Sequence, residues 1–216
     1  MKKVAIILSG CGVFDGAEIH ESVLTLLYLE QAGAQYQCFA PNIEQLHVIN
    51  HLTGEEQAQT RNVLEEAARI ARGEILDLAQ LQVDDYDALV LPGGFGAAKN
   101  LTDFAVKGTE CSINAHVAAA CRGFAEAKKP AAYLCIAPAI IPMIYGTDVQ
   151  GTIGNDVQTA KAFRQMGGDH VECPVDDYVF DTENKVLSTP AYMLAENISQ
   201  AASGIEKLVD KLVKIA

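Results

Sequence analysis

A single α/β domain, with a mostly parallel sheet between two layers of helices, is the fold class this chain predicts. Three observations point to it. Short continuous apolar runs, such as Val4–Leu8, Ala88–Leu91 and Ala131–Leu134, read as strands buried on both faces. Segments with helical spacing alternate with those runs, the pattern of a sheet covered on both sides. Gly and Pro close the runs where turns are needed. Half of the 216 residues are hydrophobic and only 6% are aromatic, so Ala, Val, Ile and Leu must fill the core. That length suits one domain over residues 1–216, and no repeat, low-complexity tract or linker divides it.

In chain order, Val4–Leu8 is a central strand ended by Ser9-Gly10, and a glycine-rich loop follows through Gly12 and Gly16. Glu18–Ala32 has helical spacing, with Ile19, Val23, Leu26 and Leu27 on the face expected to be buried and Gly33 as its stop. Tyr36–Ala40 is a second strand closed by Pro41. Residues 42–73 are too long for an ordinary crossover and read as an insertion with its own helix from Val63 to Ile70, expected to cover the site. Ala88–Leu91 is the next strand and runs into Pro92-Gly93-Gly94. Ser112–Ala127 is helical, and Ala131–Leu134 is a strand leading into Cys135, with a short helix over Ile136–Ile140. Gly151–Gly154 reads as a short strand, Asp156–Met166 as a helix, and Asp181–Asn184 as a hairpin turn. Ala195–Val213 is a long amphipathic helix burying Ile198, Ala202, Ile205 and Leu208.

Charge and composition exclude several classes. A net charge of −12 repels phosphate backbones, so nucleic acid is not an expected partner. No apolar run is long enough to span a bilayer, and the start Met1-Lys2-Lys3 lacks the pattern of a signal peptide. The six cysteines, at 11, 38, 111, 121, 135 and 173, form no Cys-x-x-Cys pair and suggest no zinc site. They read as reduced thiols of a cytoplasmic protein, and neither metal nor cofactor is expected. The glycines at 10, 12 and 16 have the wrong spacing for a dinucleotide loop.

In parallel sheets, ligands gather at the C-terminal ends of the strands. Three loops meet that condition: Gly10–Glu21, Gly93–Asn100 and Cys135–Pro138. Cys135 is the candidate nucleophile, because a buried strand runs straight into it and Pro138 suits the first turn of a following helix. A helix N-terminus there would favour thiolate. Glu21 is the candidate acid–base group if its strand lies beside that of Cys135, while Glu18, one turn earlier, reads as solvated. Backbone N–H groups at Gly94 and at Ile136 could form an oxyanion hole. Gly12 and Asn100, in the neighbouring loops, and His51, in the insertion, are accessory candidates. His20 reads as a surface imidazole.

Taken together, Leu8–Gly12, Asp15–Glu21, Leu91–Leu101 and Cys135–Pro138 resemble the ThiJ/PfpI superfamily of class I glutamine amidotransferase-like proteins, most closely its glyoxalase ElbB branch. Further stretches of the same resemblance are Asn50–Gly54, Arg61–Val63, Ala68–Gly73, Cys173–Asp177 and Thr189–Met193, so it covers essentially the whole chain. The resemblance implies a flavodoxin-like three-layer sandwich, a homodimer, a reactive cysteine at Cys135, a glutamate against its sulfur at Glu21, and a backbone N–H facing substrate at Gly94. It also implies glutathione-independent conversion of the dicarbonyl glyoxal to glycolate through a cysteine hemithioacetal. The chain departs from many members in having no histidine in Thr152–Asp156 and Ala137 where they have glycine. Two alternatives stay open: a cysteine hydrolase or amidotransferase-like enzyme, which needs a histidine base, and a redox-sensing or non-catalytic partner in a biosynthetic pathway.

Overall fold

The computed structural model describes residues 1–216. Its elements, in order, are β1 (Lys3–Ile7), α1 (Ile19–Gln31), β2 (Gln35–Ala40), α2 (Val63–Ile70), β3 (Ile75–Asp77), β4 (Ala88–Leu91), α3 (Phe104–Lys107), α4 (Ala115–Glu126) and β5 (Ala131–Leu134). After the Cys135 turn come α5 (Ile141–Tyr145), β6 (Gln150–Gly151), α6 (Val157–Gln165), β7 (Asp169–His170), β8 (Val179–Asp181), β9 (Val186–Thr189) and α7 (Ile198–Ile215). Seven strands form one sheet in the order β3-β2-β1-β4-β5-β9-β8, and all its pairings are parallel except β8 with β9. β6 and β7 form a separate parallel pair.

Alternation along the strands builds both cores. Val4, Ile6, Val90, Ala132 and Leu134 face one layer, where α1, α2 and α7 contribute Leu24, Leu29, Ala67, Ile205 and Leu208. Ala5, Ile7, Leu89, Leu91 and Tyr133 face the other, against Phe124 of α4, Ile141 of α5 and Phe163 of α6. A sheet buried on both faces reads as continuous apolar runs, and that is the flavodoxin-like three-layer sandwich the sequence predicts. Short polar side chains start most of the helices: Asn62 caps α2, Asn114 caps α4, Asp156 caps α6 and Asn197 caps α7.

Several expectations need correction. The helix in residues 42–73 is α2, the sheet's own crossover between β2 and the edge strand β3, so only the loop before Val63 is extra chain. Three of the four residues assigned to the buried face of α1 point outward: Ile19, Val23 and Leu27 are 42%, 48% and 41% exposed, while Leu26 packs partly against the core. The buried face carries Glu21, Ser22 and Thr25 beside Leu24 and Leu29. The polar groups tolerate burial because they are satisfied locally, with the Ser22 hydroxyl donating to the Glu18 carbonyl and the Thr25 hydroxyl to that of Glu21, each at 2.7 Å. On α7, Ile198 is exposed, whereas Ile205 and Leu208 are buried as expected, with Ala201, Val209 and Leu212. Gly151–Gly154 is strand only in its first residue.

Candidate active site at the Cys135 elbow

The strand order reverses between β1 and β4, and the loops after β1, β4 and β5 converge at their C-terminal ends. Cys135 follows β5 directly and sits at φ +60°, a left-handed conformation uncommon for a residue with a Cβ. Its N–H is held by the Thr189 carbonyl of β9 at 3.0 Å, which keeps the turn in place. The side chain is buried, with 8% of the residue exposed.

Glu21 reaches this sulfur by a route the sequence reading did not foresee. β1 and β5 are not neighbours, because β4 lies between them. The carboxylate crosses behind the end of β4 at Gly93, where an added Cβ would lie 2.4 Å from the Cys135 Cβ and 2.9 Å from Glu21 Oε2. The Gly93 N–H donates to Glu21 Oε2 at 2.9 Å and the Tyr192 N–H donates to Oε1 at 3.1 Å. Glu18 is not solvated. It is 8% exposed, it caps α1 by accepting the Glu21 N–H at 2.7 Å, and its own N–H donates to the Gly93 carbonyl at 2.9 Å. Gly94 follows at φ +92°, with no room for a side chain against the Glu18 nitrogen and the Gly16 carbonyl.

The electrostatics follow from burial. Burial first, and the nearby Glu18 charge second, raise the Glu21 carboxyl to about 7, while the Tyr192 and Gly93 N–H groups and the Cys135 thiol hold the rise in check. Burial, and then the Glu21 charge, push the Cys135 thiol well above its ordinary value, against the pull of the Gly94 and Ile136 N–H groups aimed at sulfur. The expectation of a resting thiolate is therefore corrected. The turn after Cys135 is a 3₁₀ helix of four residues, Ala137–Ile140, so little helix dipole is available to oppose desolvation. The sulfur therefore rests as a thiol, and the Glu21 carboxyl beside it is the group that titrates near neutral pH.

A cavity of about 390 Å³ opens onto Cys135. Val13, Phe95, Ile136 and Met193 supply its apolar walls, and Asp156, Thr159 and Tyr192 its polar edge. The polar edge was missed in the sequence. Asp156 reads there only as the first residue of a helix, and Tyr192 follows β9 with nothing local to tie it to Glu21. The Tyr192 hydroxyl also lies 2.8 Å from His20 Nδ1. Three cavities are larger: one of about 460 Å³ adjoins the Cys135 cavity, and two of about 580 and 500 Å³ lie elsewhere, lined by Cys38 and Cys111 respectively. Burial raises both of those thiols, to about 12 for Cys38, and neither faces a carboxylate held as Glu21 is, so size does not select the site.

The structure does not bring the accessory candidates to the sulfur. His51 Nε2 accepts the Phe14 N–H at 3.2 Å, which leaves Nδ1 to donate to the Ile49 carbonyl at 3.0 Å. Both ring nitrogens are thereby used. Its ring lies over Gly12, near Asp15 at 3.8 Å. The Asn100 amide donates to the Ser9 and Asp15 carbonyls at 2.9 Å each and accepts the Leu46 N–H at 3.0 Å. Residues of the 42–73 segment do not line the Cys135 cavity. Ile49 and Gly54 instead border an adjoining one with Phe14 and Lys99, and Phe95 is the wall shared by the two. No group of three His, Cys, Asp or Glu side chains could hold a metal ion, and no helix is long and apolar enough to cross a membrane.

No family model matches the chain. It is 42% identical to the ES1 protein homolog, mitochondrial, of Rattus norvegicus over 99% of this chain and 84% of that protein. It is 41% identical to the glutamine amidotransferase-like class 1 domain-containing protein 3, mitochondrial, of Homo sapiens over 99% of this chain and 83% of that protein. Among solved structures, an isoprenoid biosynthesis protein with amidotransferase-like domain from Ehrlichia chaffeensis superimposes with a TM-score of 0.93 at 37% identity, covering 100% of this chain and 99% of that one. Drosophila melanogaster DJ-1beta shares the fold alone, with a TM-score of 0.59 at 18% identity over 98% of this chain and 90% of that one. The names of the two curated relatives overturn the cytoplasmic expectation, since both are mitochondrial proteins. Six free thiols require only a reducing compartment, a property that does not single out the cytoplasm.

Proposed function

The chain belongs to the ES1 and glutamine amidotransferase-like class 1 domain family, an ElbB-like branch of the ThiJ/PfpI superfamily, and from that premise we propose that it is a cofactor-independent glyoxalase converting glyoxal to glycolate at Cys135. One observation carries the reading: a buried thiol and a buried carboxyl raised to about 7 flank Gly93 together, with the thiol opening onto a small, largely apolar cavity. A carboxyl with that value serves as base and acid in turn near neutral pH.

In the proposed sequence, Glu21 takes the thiol proton as sulfur adds to one carbonyl carbon of glyoxal. The carbonyl oxygen gains the electron pair, is held by the N–H groups of Gly94 and Ile136, and takes the proton back from Glu21, which completes the hemithioacetal and frees the carboxylate. Glu21 then removes the hydrogen from the sulfur-bearing carbon and returns it to the neighbouring carbon. The hydroxyl proton on the first carbon passes to the oxygen of the second, so the first carbon is oxidised to a thioester and the second is reduced to a primary alcohol. Water cleaves the thioester, releasing glycolate and restoring the thiol. The atoms balance without an external oxidant or reductant.

The cavity lining includes no histidine, which weighs against the hydrolase alternative because a peptide or amide leaving group needs a stronger proton carrier. The redox-sensing alternative favours an exposed, low-pKa thiol, and Cys135 is neither. Purified wild type incubated with glyoxal should form glycolate, and Cys135→Ala should lose at least about 10³-fold of that rate with its fold intact. Equal rates in the two proteins sink the proposal. The homodimer that accompanies this reading would cover the outward stripe Ile19, Val23 and Leu27 of α1. Sedimentation should give a dimer that Val23→Lys converts to monomer.

A further inference from the structure

The N-terminus of α6 opens onto the cavity, and a nine-residue helix ordinarily attracts anions there through its free N–H groups and its dipole. In this chain that position is already taken by an acidic side chain. Asp156 caps α6 by accepting the Thr159 N–H at 2.8 Å, and both Asp156 and Thr159 line the cavity. Asp156, exposed at the cavity's mouth, is the charged residue of its lining, and no lysine, arginine or histidine in that lining offsets it. The nearby cation, Lys99, lies behind Phe95 with its ammonium 5.5 Å from that ring and donating to the Phe14 carbonyl at 2.9 Å, and it borders the adjoining cavity instead.

We propose that Asp156 is a specificity determinant: it turns an anion-attracting helix terminus into an anion-repelling one, so the Cys135 cavity admits uncharged or cationic electrophiles and rejects carboxylate-bearing ones. Hydrogen bonds from Thr159 hold the Asp156 carboxyl below the usual carboxylate range, so the charge is present throughout the neutral region. A carboxylate-bearing substrate would also add its charge to the one that develops at the oxyanion beside Glu21. For the reaction proposed above, and resting on that reading, the substrate class is the neutral dicarbonyl and not the α-oxo acid aldehyde.

Thiol alkylation tests the repulsion without relying on any enzymatic activity. Iodoacetamide and iodoacetate modify the same sulfur by the same displacement and differ in charge. Their rates at Cys135, resolved from the other cysteines by peptide mass, are compared with those of free N-acetylcysteine at one pH. The neutral reagent should be favoured more strongly at Cys135 than at the free thiol. Asp156→Asn, which keeps a side chain able to cap α6, should reduce that preference about two- to five-fold, as should 1 M salt. Asp156→Ser, a second cap-retaining variant, should match it. An unchanged ratio in both variants, or a wild-type ratio equal to that of the free thiol, overturns the inference. Charge selection at Cys135 without any turnover of glyoxal would uphold this inference while removing the glyoxalase reading. In an active enzyme, phenylglyoxal should be preferred to 4-carboxyphenylglyoxal, with the gap narrowed in Asp156→Asn.

Discussion

Two clusters of polar side chains sit at the C-terminal end of this sheet, and they are satisfied in opposite ways. Around Asn100 and His51, each polar side-chain atom ends on backbone: the Ser9 and Asp15 carbonyls, the Leu46 and Phe14 N–H groups, and the Ile49 carbonyl. Around Glu21, backbone N–H groups from Gly93 and Tyr192 hold a carboxylate, and the remaining interaction is with a titratable thiol. The first arrangement ties side chains to backbone and braces two loops. The second is a proton reservoir inside the fold. Candidate status by loop position was the same for both, so hydrogen-bond accounting, not proximity to the strand ends, separates brace from site.

The largest effect should come from closing the gap that joins the second cluster. Gly93→Ala puts a methyl group between Cys135 and Glu21, and it should abolish glycolate formation and destabilise the fold by about 1–3 kcal/mol in urea titration. Wild-type turnover in that variant would break the claim that the two side chains act through direct contact. Glu21→Gln should lower kcat by about 10²- to 10⁴-fold. It should also remove a pH effect. The wild-type carboxyl moves from an ordinary 4.5 to about 7 on folding, so the folded state holds its proton more tightly. That contribution to stability is complete below 4.5 and is lost as the pH rises to about 7, a slope that urea titrations should show in wild type and not in the variant. Activity runs the other way, rising as Glu21 ionises. The smallest effects on rate belong to the brace. Asn100→Ala should cost about 2–3 kcal/mol through three lost hydrogen bonds, and His51→Ala about 1 kcal/mol, each leaving kcat within about three-fold. A far larger rate loss in His51→Ala would restore His51 as a base and erase the distinction drawn between the clusters.

Glu21 and α1 mark where sequence reading reached its limit. An apolar stripe at helical spacing usually faces the core, yet Ile19, Val23 and Leu27 face outward because the inward face is given to Glu21, Ser22 and Thr25. Polar groups that bond within their own helix, or to a distant loop, leave no periodic trace. Tyr192 and Asp156 escaped for the same reason, since they meet Cys135 from segments more than twenty residues further along the chain.

The local patterns were enough to determine the central strands β1, β2, β4 and β5 and the turn at Cys135, because each depends on residues adjacent in the chain: apolar runs closed by Gly or Pro, and a strand running straight into a helix start. Which groups touch was decided only by tertiary structure. β4 separates β1 from β5, and a missing side chain at Gly93 lets Glu21 meet Cys135 across it. The acidity of that pair is likewise a property of the assembled fold, because desolvation acts only once the sheet and its two helical layers have closed around it.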